Sequence, residues 1–128
     1  MMLIAVAAAG MAAGQARPQA ETRLYDRGLL LIEAGEFERA RLSLDTLLND
    51  YPKSTLRAEA KAAIRASWVR QGIVDPDPML LFQEGQSRLT AGKREGALIF
   101  FATFINVYPA SEYAQKARQT IKALAAKD

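Results

Sequence analysis

Cysteine and histidine are both absent from the 128 residues. The first absence excludes disulfides, thiolate nucleophiles, cysteine-bound zinc and lipid attachment to a thiol. The second removes the commonest general base and the commonest transition-metal ligand. There is no glycine-rich phosphate loop either, because the eight glycines are scattered singly along the chain. The acidic residues do not make good these absences. Glu33, Glu36 and Glu38 cluster at a predicted helix start, where carboxylates favour the helix dipole, and no second functional group stands beside them. Asp75 and Asp77 flank Pro76 and lack the spaced oxygen ligands of a calcium loop, so they read as turn formers. These absences point to a binding module without cofactor or metal, not to an enzyme.

Net charge is also small, +3 from 17 basic and 14 acidic residues, but it is unevenly placed. Between Lys53 and Arg70 five basic residues face Glu59 alone, a local +4 that leaves the remainder at −1. Arg57, Lys61 and Arg65 recur every four residues and share one helix face. With no aromatics interleaved, this basic patch reads as a solvated outer face or a surface for an acidic protein, and not as a nucleic-acid interface.

What the chain does contain begins with an apolar leader. Residues 1–16 carry no charge and end in the small-residue run Gly14-Gln15-Ala16. The apolar stretch is shorter than the about 20 residues that a membrane span needs, and it matches a secretory signal peptide. Cleavage after Ala16 would leave a soluble domain at 17–128. The expected location is therefore the periplasm or cell envelope, with the membrane met only through partners.

The remainder is duplicated. A shift of 57 positions superposes residues 24–64 on 81–121 without a gap. Identical pairs include Leu24/Leu81, Gly28/Gly85, Gly35/Gly92, Ala40/Ala97, Asn49/Asn106, Tyr51/Tyr108, Pro52/Pro109 and Ser54/Ser111. Shared composition could align alanines, but not Gly, Asn, Tyr-Pro and Ser together. The two copies, about 22–72 and 79–126, are separated by an Asp-Pro turn at 73–78. Each reads as three helices, predicted at 22–34, 37–50 and 55–71, then at 79–91, 94–107 and 111–126. Glycine and proline punctuate them. The fold class is all-α: about six helices in antiparallel hairpins stacked as a solenoid. The run from Ala97 to Tyr108, polar only at Thr103 and Asn106, is the expected core helix of the second copy.

Leu24, Gly28, Leu31, Gly35, Phe37, Ala40, Leu44 and Pro52 follow the tetratricopeptide-repeat pattern in order and spacing. The second copy resembles it too, departing at Arg88 and Arg94, where large apolar residues are usual. Trp68 followed by Gly72 resembles the end of a further first helix whose partner is shortened at the Asp-Pro turn. The Tyr51-Pro52-Lys53-Ser54 and Tyr108-Pro109-Ala110-Ser111 stretches resemble those of BamD-like outer-membrane assembly lipoproteins and of the YbgF-like periplasmic Tol-Pal coordinators. BamD-like proteins carry a lipidated cysteine that this chain lacks, and they are longer. The resemblance implies a protein–protein adaptor of the cell envelope. A cytosolic repeat adaptor and an accessory subunit of an enzyme complex are the alternatives.

Helix geometry suggests where a protein or peptide would bind. Leu24, Gly28 and Leu31 form the stripe facing the second helix, and Tyr25, Leu29 and Ile32 lie about 100° further round. Their counterparts are Phe82, Gln86 and Leu89. First helices line the concave face of such solenoids. The expected partner-binding groove therefore comprises Tyr25, Leu29, Ile32, Phe82, Gln86 and Leu89.

Overall fold

The computed structural model describes residues 12–73 and 77–126. Six helices follow one another: α1 (Ala12–Glu33), α2 (Phe37–Asp50), α3 (Arg57–Arg70), α4 (Pro78–Thr90), α5 (Arg94–Val107) and α6 (Glu112–Ala126). No strand occurs among the described residues. The all-α helical repeat is thus as its sequence indicates, with one extension. The first helix begins ten residues before its predicted start, because the alanines, glutamine and arginine upstream are good helix formers. The boundary expected after Ala16 falls inside α1, and residues 1–11 of the leader lie outside the described residues.

Equivalent turns are built from equivalent residues. Gly35 and Gly92 take positive φ, 77° and 81°, a conformation cheap only for glycine. The amide after each donates to a carbonyl five residues back, Glu36 N to Leu31 O and Lys93 N to Arg88 O, both at 2.9 Å. After Pro52 and Pro109 the chain cannot continue as helix. There Ser54 Oγ accepts from Leu56 N and Ser111 Oγ from Tyr113 N, each at 3.0 Å. Asp77 caps α4, its carboxylate accepting from Leu80 N at 2.9 Å ahead of Pro78. That is the turn-forming role expected of it; Asp75 lies outside the described residues.

Each copy is a three-helix layer. In the first, α2 packs between α1 and α3, and in the second, α5 packs between α4 and α6. Gly28 and Gly85 are buried at the hairpin crossings. A Cβ at Gly28 would lie 2.6 Å from Leu44, and one at Gly85 would overlap the Phe101 ring. Ala40 and Ala97 are fully buried small positions in the partner helices. The apolar run of α5 is indeed core, with Phe100, Phe101 and Phe104 almost wholly enclosed.

The two layers meet through α2 and α5. Glu38 lies against Gly96, Arg41 against Phe100 and Asn49 against Asn106, so the two helices run parallel at nearly the repeat offset. The second copy is therefore stacked on the first by translation, as repeats in a solenoid are. Alpha-5 also packs against α3, where its Phe100 ring meets Trp68 at 5.8 Å.

Candidate binding faces and the interface between the copies

The expected groove divides between core and surface. Leu29 is 37% exposed, Gln86 is exposed, and Tyr25 and Leu89 are half-buried against the core. Ile32 and Phe82 are buried, at 6% and 9% exposure, and this corrects their placement on a groove floor. The third helix of each copy is the reason. Alpha-3 packs beside α1 and α6 beside α4, covering much of the side that an isolated hairpin would leave open. Phe82 sits between the rings of Phe101 and Tyr113, at 5.7 and 5.9 Å. Moreover, α1 does not pack against α4, nor α3 against α4. The six residues therefore do not line one continuous groove. What remains open is a short face on each copy, with Tyr25 and Leu29 on α1 and Gln86 and Leu89 on α4.

The basic stripe also differs from expectation. Arg57, Lys61 and Arg65 are half-buried instead of forming a solvated outer face. Arg57 Nη1 donates to Leu48 O at 2.7 Å. It thus satisfies one of the last carbonyls of α2, where a cation also suits the helix dipole. Arg57 thereby helps to hold the α2–α3 corner.

The acidic residues near the first turn stay structural. Glu36 pairs with Arg39 at 2.6 Å and Glu33 with Arg70 at 3.4 Å, both on the surface, where such pairs contribute little. Among the described residues no group of His, Cys, Asp and Glu could hold a metal ion, and no helix is long and apolar enough to cross a membrane. A cleft of about 500 Å³ opens between the end of α3 and α4, beside Gln71, Leu80 and Ser87. Its two charged residues already satisfy each other, Arg88 Nη1 meeting Glu84 Oε2 at 2.8 Å.

The polar groups with the most distinctive surroundings lie between the copies, and sequence reasoning passed over them. Arg41 is fully buried, donating to Ser67 Oγ at 2.9 Å and Gln71 Oε1 at 2.7 Å. Its guanidinium and that of Arg88 both lie over the Phe100 ring, 5.5 and 4.4 Å from the centroid, an arrangement the ring's negative face favours. Burial, and secondarily the like charge of Arg88, lower the Arg41 pKa to about 10, with Glu38 opposing. That value still leaves Arg41 charged at neutral pH. Its Nε and Trp68 Nε1 are buried without hydrogen-bond partners. Nearby, Asp45 accepts from Asn106 Nδ2 and, at 3.3 Å, from Asn49 Nδ2. Burial raises the Asp45 pKa, and these amide hydrogen bonds work against the rise. The available signal was a charge interrupting an apolar stripe: Arg41 and Asp45 stand where the second copy has Leu98 and Ala102.

Comparison with known proteins agrees with this architecture. Residues 24–54 match the family model described as Tetratricopeptide repeat. The match covers α1 from Leu24 onward, all of α2 and the turn to Ser54, which is the hairpin whose geometry is given above. With the helical fold it supports a tetratricopeptide-repeat protein, and repeats of this family mediate protein–protein interaction. No curated protein and no solved structure matches the chain.

Proposed function

We propose that this chain is a non-catalytic adaptor of the cell envelope, exported by its apolar leader and similar in role to BamD-like assembly proteins. Its partner is a protein or peptide segment, and the membrane is met only through that partner. The observation that carries the reading is the tetratricopeptide hairpin at 24–54, whose first helix keeps Leu29 exposed and Tyr25 half-open. An apolar side chain at a helix face that neighbouring helices leave uncovered is a ready anchor for a docked segment. The Tyr-Pro-x-Ser turns and the leader support placement in the envelope.

Two measurements test it. N-terminal sequencing of the protein recovered from periplasmic extract should begin at Arg17; an intact Met1 in the cytosolic fraction would contradict export. Cross-linked partners should then be lost, with a drop in affinity of about tenfold or more, on Leu29→Glu while helix content is unchanged. Undiminished recovery would remove the α1 face from the proposal.

A further inference from the structure

The translational stacking has a consequence at the free end of the first copy. In the second copy, the face turned toward the first contains Gly96, Phe100 and Thr103, and Glu38, Arg41 and Trp68 of the first copy help to enclose it. Shifted back by 57 residues, that face becomes Arg39, Ser43 and Thr46 of α2, with Leu24 and Leu31 of α1 beside them. Ser43 is buried against α1, donating to Leu24 O at 2.9 Å, and no other described helix covers the face. A cleft of about 310 Å³ lies there, lined by Leu24, Arg27, Leu31, Arg39, Leu42 and Thr46, and Leu42 is 50% exposed at its centre.

The opposite end carries a complementary surface. The positions of the second copy that correspond to Glu38, Arg41 and Asp45 are Glu95, Leu98 and Ala102. Glu95 is exposed and the other two are half-buried. If one chain were placed on the next by the operation that relates the two copies, equivalent positions would again face each other. The contact of Glu38 with Gly96 would become Glu95 with Arg39, a pair of opposite charges. The neighbouring like charges Arg41 and Arg88 would become Leu98 and Leu31, two apolar side chains. The contacts of Phe100 with Trp68 and Arg41 would shrink to Ser43 with Ala125 and Leu98, so the contact between chains rests on the charge pair and the leucines.

We propose that these two ends bind each other, so that the chain stacks head to tail on further copies of itself. This face is separate from the α1 surface proposed for the partner, and the two can fail independently. Because such a contact is heterologous, it does not close on itself at a dimer, and assembly grows with concentration. Among the described residues Arg39 is held on the surface by Glu36, an exposed pair, so it can turn to meet an incoming carboxylate.

The test is sedimentation velocity on the full chain over a wide concentration range. The average mass should rise steadily beyond that of a dimer. Arg39→Glu alone and Glu95→Arg alone should each weaken association by about tenfold or more, since each sets like charges face to face. Mixing the two variants should restore association, because every interface in the mixture again joins opposite charges. Leu42→Ser, at the centre of the cleft, gives a charge-independent loss, and circular dichroism verifies that each variant keeps its helices. A wild-type chain that stays monomeric throughout would overturn the proposal. So would variants that associate like the wild type, as association through the apolar leader would produce, or a mixture that stays dissociated.

Discussion

Alpha-2 and α5 occupy equivalent positions in the two copies, yet their chemistry diverges in one direction only. Where they face their own hairpin partners they agree: Ala40/Ala97 against Gly28/Gly85, with Leu44/Phe101 filling the crossing. Where the copies face each other many positions differ, Arg41/Leu98, Asp45/Ala102 and Ser43/Phe100, although Glu38/Glu95 and Asn49/Asn106 are kept. Translational stacking explains the pattern. At the shared interface one copy contributes its trailing side and the other its leading side, so equivalent residues have different neighbours. Positions inside a hairpin see the same surroundings twice and stay alike. In this duplicated chain, the charges Arg41 and Asp45, replaced by apolar Leu98 and Ala102 in the second copy, lie at the interface.

The largest test of that contrast is Phe100→Ala set against Ser43→Ala. Removing the Phe100 ring takes contacts from Trp68, Arg41 and Arg88 at once and should cost about 3–5 kcal/mol in urea unfolding. Ser43→Ala, at the equivalent position, loses one hydrogen bond to Leu24 O and should cost only about 1 kcal/mol. Equal losses would mean that the two positions are not on opposite sides of a stacked interface.

A second contrast concerns the crossings that the copies share. Gly85→Ala should destabilise by about 1–3 kcal/mol, since the Phe101 ring cannot move aside without disturbing Phe82. At Gly28 the obstructing group is the fully buried Leu44, with Cγ and Cδ2 both at 2.6 Å, which offsets alanine's gain of about 1 kcal/mol in helix propensity. Gly28→Ala should therefore also destabilise, though less than Gly85→Ala, whereas Gly28→Leu should cost about 1–3 kcal/mol. Thermal melts of the three variants check the order.

The smallest effect lies in Asp45, a carboxylate present only in the first copy. Because burial raises its pKa, the folded chain holds this proton at a pH where the unfolded chain has released it. Its contribution to stability is fully present below the unfolded carboxylate value and is lost as pH rises through the folded one. Asp45→Asn should flatten this part of the stability profile across mildly acid pH and leave the variant at least as stable as wild type at neutrality. A wild type that gains stability over the variant as pH rises through this range would contradict the burial of this group between the copies.

These contrasts also show which features could be seen in the sequence. Helix existence, the duplication and the hairpin crossings were legible because glycine, proline and small residues act locally and recur at a fixed offset. The start of α1 was not, because a helix in alanine-rich sequence has no marked first residue. Ile32 and Phe82 were read as groove residues because an apolar face on one helix looks alike whether solvent or a third helix lies beyond it. The interface roles of Arg41, Trp68 and Phe100 escaped for the opposite reason. A search for what the copies share discards the positions where they differ, and much of the contact between copies is made at those positions.

The parallel, in-register stacking of α5 on α2 is the claim on which the rest depends, and the absence of native cysteine makes it directly measurable. A chain carrying Glu38→Cys and Gly96→Cys should be bridged within the molecule by a short bifunctional thiol reagent, because the tip of the Glu38 side chain reaches Gly96 at the same ends of the two helices. A control with Glu38→Cys and Asn106→Cys joins opposite ends and should not cross-link. Rapid closure of the control with none in the first pair would contradict the stacked arrangement and everything inferred from it.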